Sequence, residues 1–227
     1  QAETAGNLPA AMSAYGRAAA IDDGHAELQF RLARCALATG QSDAARAHFV
    51  KARDTDALRF RTDSRQNELI RATAKAAGAG VTLVEAAERL AADSPAGVPG
   101  TNCFHEHVHF HFAGNYRLAR LFAEQLEPRL PAAPASATWL DEAACAARLA
   151  FTGNLEYDVL QIVRRRFDEP IYQGQLDATA RLRQWDQRLA ELRGQNKPAA
   201  RERALQVVRQ AVAARPDDAM LRAILAR

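Results

Sequence analysis

Apolar and small residues recur at helical spacing along most of the chain. Leu28, Leu32 and Cys35/Ala36 fall on one helix face, Ala45, Phe49 and Ala52 fall on one face of the next, and Gly40 stands between them to make the turn. Ser64–Gly78 reads as a further helix that Ser64 can cap and Gly78 can end. The grammar then changes. Val81–Ala86 (VTLVEA) is a short, β-branched apolar run bounded by Gly80, and it predicts a strand. A helix followed by a buried strand is half of an α/β unit, and a lone strand needs ladder partners. None is evident downstream, so the partner strands are expected in chain that precedes these residues. After a Pro/Gly loop at Ser94–Thr101, Gly114–Leu126 predicts an amphipathic helix with Tyr116, Leu118, Leu121, Phe122 and Leu126 as its apolar set. A Pro-rich linker at Glu127–Pro134 leads to a second helical stretch. Its first helix lies in WLDEAACAARLAF, with Thr138 before it and Asp141 and Glu142 placed to favour its N-terminus. LEYDVLQIVRRRF follows and stops before Pro170, and Leu176–Gly194 then turns Leu182, Trp185, Leu189 and Leu192 to one side. The fold class that follows is mainly α: helix-turn-helix hairpins plus a short α/β remnant carrying one or few strands.

The hairpins repeat. Gly6, Ala11, Tyr15 and Ala18 return 34 residues later as Gly40, Ala45, Phe49 and Ala52. Small residues at Ala33, Ala45 and Ala52 let paired helices approach closely, and Phe49 fills the gap between neighbours. Near the end, Ala204, Val208, Ala211 and Pro216 reproduce the second-helix pattern, and Ala219 opens another first helix. The pattern resembles the tetratricopeptide repeat, with Gln29, Ala36 and Ala57 standing where that family often has an aromatic, an aromatic and Pro. The resemblance implies a surface that binds a protein partner. Stable arrays normally stack at least about three units, so either the flanking segments act as caps or a longer chain supplies more repeats. The expected organisation is helical repeats over 1–57, an α/β unit over 58–130, and a helical region ending in a repeat over 131–227.

Composition changes this picture little. Apolar residues at 48% and charged residues at 25% exclude a disordered or collagen-like chain. No apolar run approaches the roughly 20 residues of a membrane span. The opening QAETAGNLPAAM has no starter Met, apolar segment or basic lead, and the first repeat begins mid-motif; the expectation is a piece of a longer protein. Net charge is +3. The tight basic run Arg164-Arg165-Arg166 is followed at once by Asp168 and Glu169, which reads as a solvated helix end and not as a nucleic-acid surface. Cys35, Cys103 and Cys145 share no CxxC spacing, so neither a disulfide framework nor a structural zinc site is expected, and Cys35 and Cys145 read as small core residues. No cofactor is implied.

The candidate chemistry lies in CFHEHVHFHF. His105, His107, His109 and His111 alternate, with Glu106 among them. In an extended segment the four imidazoles would share one face, with Glu106, Val108 and Phe110 on the other. One reading is an exposed His-rich loop. A second is a metal site, with imidazoles two apart converging on Zn²⁺ or a similar ion and Glu106 or Cys103 nearby; it expects three or more ligand atoms within about 2.0–2.3 Å of one point. The third is a dyad. An acid three residues before a His can curl back onto that ring's Nδ1–H, fixing the tautomer and leaving Nε2 as a general base.

Here the chain resembles the SGNH (GDSL-like) hydrolases, whose last conserved block is Asp-x-x-His on a loop before the final helix. ALRFRTDSRQNELIR, VTLVEAAERLAADSPAGVPG and FHEHVHFHFAGNYRLAR look like a bacterial subgroup in which tetratricopeptide repeats accompany an SGNH domain. The resemblance covers about Ala26 to Leu126 and implies an ester hydrolase or acyl-transfer enzyme acting on an acyl-ester substrate. It makes His109 the catalytic base and puts Glu106 in the acid position, where the family normally has Asp. His107 and His111 match no catalytic role in it. The expected geometry is a Glu106 oxygen within about 3.2 Å of His109 Nδ1. The family's nucleophile is a Ser in a Gly-Asp-Ser block, with Gly and Asn from separate blocks completing the oxyanion hole. None of these blocks occurs here; Ser13, Ser42, Ser64, Ser94 and Ser136 lie in other contexts. The chain thus reads as the C-terminal portion of such an enzyme, inactive alone because a His without its Ser cannot run acyl transfer. The alternative is an interaction scaffold without catalysis.

Overall fold

The computed structural model describes residues 2–130, 138–195 and 197–226. Ser136 and the prolines at 131 and 134 lie outside the described residues. The chain is mainly helical and falls into two compact units, Gln1–Ala133 and Pro134–Arg227.

The first unit opens with α1 (Leu8–Ala19), α2 (Ala26–Ala38) and α3 (Ser42–Asp54), of which α2 packs against both neighbours. The repeated glycines do the same job in both places. Gly6 and Gly40 adopt φ of 75° and 77°, a left-handed turn that a β-carbon disfavours, and each immediately precedes a helix. Ala11, Ala33 and Ala45 are buried at the helix contacts, while Ala18 is exposed. Phe30 and Phe49 meet edge to face at 5.5 Å, and Phe49 is half-buried where full burial was expected. Gln29 takes the place of an aromatic by satisfying its amide inside the pair. Its Nε2 donates to the Asp23 carbonyl at 2.8 Å, and its Oε1 lies 2.8 Å from His48 Nδ1. A second polar knot ties α1 to α2: Tyr15 Oη and Arg31 Nη1 donate to Glu3 at 2.6 and 2.8 Å.

α4 (Ser64–Ala77) has the expected extent but a different cap. Asp63, extended at ψ 179°, accepts from the Gln66 amide at 2.8 Å, and Gln66 Oε1 accepts from the Asp63 amide at 3.1 Å. Ser64 is already inside the first turn, and its hydroxyl accepts from Arg53 at 2.7 Å.

The expected strand at Val81–Ala86 is corrected. Residues 81–85 are non-helical chain with no ladder partner among the described residues, and Ala86 begins α5 (Ala86–Ala92). The run is held from its sides. Val84 packs against the cluster of Leu90, Cys103 and Leu121, and the Arg71 guanidinium grips Glu85 through Nε and Nη2 at 2.8 and 3.0 Å. Without a neighbouring strand, β propensity alone gives no sheet. α6 (Phe112–Leu126) closes the unit; Leu121 is buried, whereas Phe122 and Leu126, read as core, are exposed.

In the second unit α7 (Glu142–Arg148) is capped by Asp141, which accepts from the Ala144 amide at 2.7 Å, and Cys145 is only half-buried. α8 (Gly153–Arg166) and α10 (Ala178–Gln195) bury Leu160, Val163, Phe167, Trp185 and Leu192 between them, with the short α9 (Pro170–Gln173) in the connection. Phe167 meets Trp185 edge to face at 4.3 Å. Arg164 bonds Asp168 and Asp186, each at 2.9 Å, so the basic run is partly paired at its helix end. α11 (Pro198–Ala214) and α12 (Ala219–Leu225) form the last hairpin, with Val208, Ala211 and Leu221 buried together with Ala150. Among the described residues no helix is long and apolar enough to cross a membrane.

Candidate functional site

The histidine segment is a tight reversal, not a strand. Phe104 and Phe110 form an antiparallel bridge with their rings stacked at 4.3 Å. The His105 amide donates to the His109 carbonyl at 2.8 Å, and the His111 amide donates to the Cys103 carbonyl at 3.1 Å. The reversal can sit on α6 because Gly114 has no side chain there. A β-carbon at 114 would collide with the Cys103 carbonyl and come within 2.7 Å of the Phe110 ring. His111 caps α6: its Nδ1 accepts from the Gly114 amide at 3.3 Å, which places the proton on Nε2, 3.1 Å from the Thr101 carbonyl. On the other side, Ser94 donates to the Leu90 carbonyl at 2.6 Å and accepts from Asn102 at 2.9 Å, anchoring the entry to the reversal on α5.

Five residues, His105 to His109, make the turn, and the alternating face expected for an extended segment does not form. Glu106 points inward with a side chain 4% exposed, whereas His109 is 52% exposed. The Val108 amide donates to Glu106 Oε2 at 2.8 Å and the His109 amide donates to Oε1 at 3.2 Å. His109 Nδ1 contacts the same Oε1, the pairing the acid-x-x-His spacing calls for. His107 Nδ1 lies 2.8 Å from Oε2, off the line of a well-formed hydrogen bond, and acts as an electrostatic contact. Burial works against the charge of Glu106, but the contacts from His107, the Val108 amide and His109 outweigh it and hold the carboxyl well below the usual carboxylate range. An ionised Glu106 that accepts from Nδ1–H leaves the lone pair of His109 on Nε2.

The other candidates are placed differently. His105 meets His111 edge to face at 5.8 Å. Cys103 is fully buried, with Arg117 Nη1 3.8 Å from its sulfur. Among the described residues no group of three or more His, Cys, Asp or Glu is arranged to hold a metal ion. Of the serines, Ser13 accepts from Arg17 at 3.2 Å, Ser64 is engaged by Arg53, and Ser94 is buried in the loop anchor. Two participants were not singled out from the sequence. Phe60 stands 5.6 Å from the His107 ring, and Gly114 permits the seating on α6. A glycine two residues into a helix that follows four alternating histidines was the available signal for the second; nothing local marked the first.

Comparison with known proteins bears on the other end of the unit. A tetratricopeptide-repeat family model matches residues 3–61, which hold α1, α2 and α3. No curated protein matches the chain, and no solved structure does. The match falls on the N-terminal hairpins, and a tetratricopeptide repeat there suggests a protein–protein interaction scaffold.

Proposed function

We propose that Glu106 and His109 are the acid and base of an SGNH-type esterase or acyl-transfer enzyme, of which this chain is the C-terminal portion. In this reading residues 1–57 dock a protein partner, 58–130 supply the acid–base pair of the catalytic unit and 131–227 form the helical region beyond it. The nucleophilic Ser, with the Gly and Asn that complete the oxyanion hole, comes from chain outside these residues. As the Ser oxygen attacks the acyl carbonyl, its proton passes to His109 Nε2, and Glu106 stabilises the imidazolium through Nδ1–H. The proton then moves to the departing alkoxide, which leaves the acyl group on Ser. Water or an acceptor alcohol reverses the sequence, giving its proton to His109 and taking the acyl group.

The observation that carries the reading is the buried Glu106 carboxylate held by two main-chain amides and set against Nδ1 of a half-exposed His109. The alternative, a scaffold without catalysis, draws on the repeat match at residues 3–61. Serine-directed labelling separates them. A fluorophosphonate probe is expected to label a Ser in the product of the complete reading frame, and His109→Ala should slow labelling at least 100-fold, the scale of a lost general base (about 10²–10⁴). Labelling unaffected by His109→Ala, or a folded product that is not labelled, overturns the proposal.

A further inference from the structure

We infer that His107 is a positioning residue for the Glu106–His109 pair, holding the carboxylate so that Oε1 faces the His109 ring. The inference rests on the dyad reading given above and assigns a role to a histidine that has none in it.

The argument starts from the carboxylate. The terminal torsion of a glutamate is broad and weakly preferred, so a carboxylate that must present one oxygen to an imidazole needs its other oxygen fixed as well. Glu106 is nearly enclosed, and its two oxygens are served in parallel. Oε1 takes the His109 amide and the His109 ring; Oε2 takes the Val108 amide at 2.8 Å and faces His107 Nδ1 at 2.8 Å. Removing His107 takes that electrostatic contact away and leaves the Val108 amide alone to hold Oε2, in a place where a poorly compensated charge is costly. The carboxylate would then be free to turn, and the Oε1 contact with His109 would loosen.

Burial divides the two imidazoles. The His107 side chain is 23% exposed and its ring meets Phe60 at 5.6 Å with a 56° tilt, while the His109 side chain is 52% exposed. The inner ring is braced by an aromatic neighbour and the outer ring is the more exposed of the two. One glutamate thus serves an inner imidazole that sets its orientation and an outer one that uses it.

The tautomer of His109 reads this directly, without any turnover. In ¹⁵N spectra of the histidine side chains of this chain, wild-type His109 is expected to carry its proton on Nδ1. His107→Phe keeps an aromatic ring beside Phe60 but removes the nitrogen, and it should cost His109 the Nδ1–H signal in favour of Nε2–H. His107→Leu, which carries no donor, should do the same and serves where His107→Phe does not fold. His107→Asn, whose Nδ2 takes the place of the ring Nδ1, should retain Nδ1–H on His109. Retention of Nδ1–H in folded His107→Phe or His107→Leu, or its loss in folded His107→Asn, overturns the positioning role. A wild-type spectrum with the His109 proton on Nε2 overturns the dyad itself, and this inference with it.

Discussion

A β-carbon at position 114 has nowhere to go, because the Cys103 carbonyl and the Phe110 ring already occupy its space. Gly114→Ala should therefore destabilise the first unit by about 1–3 kcal/mol, the usual scale for overpacking. A chemical denaturation curve checks it, and an unchanged midpoint would mean that the reversal does not seat on α6 as described. Glu106 gives a second residue-level prediction through pH. Its folded carboxyl is held below its unfolded value of 4.5, so it binds fewer protons in the folded chain. The stability it contributes is fully present above about pH 4.5 and is lost as pH falls toward the folded value. Unfolding free energies of wild type and Glu106→Gln should therefore differ by a constant amount above about pH 4.5 and draw together as pH falls below it, while parallel curves would contradict the assignment. At this scale the sequence was legible where spacing alone decides contact. An acid three residues before a His fits one turn of chain, so Glu106–His109 could be read. His107 could not, because its approach to Oε2 depends on how the reversal curls and on Phe60, a residue far away in the sequence.

Helices were legible wherever apolar spacing and a stop signal agreed. α2, α3, α4, α8 and α10 lie within a few residues of the expected spans because Gly40, Gly78 and Pro170 mark turns or ends that no neighbour has to supply. Caps were less legible, since Asp63 and Asp141 compete with adjacent polar residues and the winner is set by backbone angles. The Val81–Ala86 strand failed for a different reason. Its residue types favour extension, but a ladder is a property of two segments, and the described chain offers one. Two substitutions weigh the helix contacts. Trp185 is buried between α8 and α10 against Phe167, and Trp185→Ala should cost about 3–5 kcal/mol. Phe49 is only half-buried against Phe30, so Phe49→Ala should cost less, about 1–3 kcal/mol. Thermal melts of the two variants check the order; an equal or larger loss for Phe49→Ala would mean that the repeat face is covered more deeply than these contacts account for.

Across the whole molecule, the repeat hairpins and the histidine reversal lie in one compact unit, Gln1–Ala133, and the cluster around Trp185 lies in the other. The fold class was legible at this scale because helical periodicity runs through both units, and the 34-residue repeat marked where the array begins. The Glu106–His109 contact was legible from its spacing, but no Gly-Asp-Ser block stands among these 227 residues from which to read a reaction. The account is tested most directly by steady-state hydrolysis of p-nitrophenyl acetate, with this chain, the product of the complete reading frame, and its His109→Ala variant assayed side by side. The chain alone should show no turnover above the buffer rate. The complete product should turn over, and His109→Ala should lower kcat/KM by about 10³-fold or more, as expected when a base and its orienting acid act as one unit. Equal turnover by the complete product and its His109→Ala variant would contradict the account.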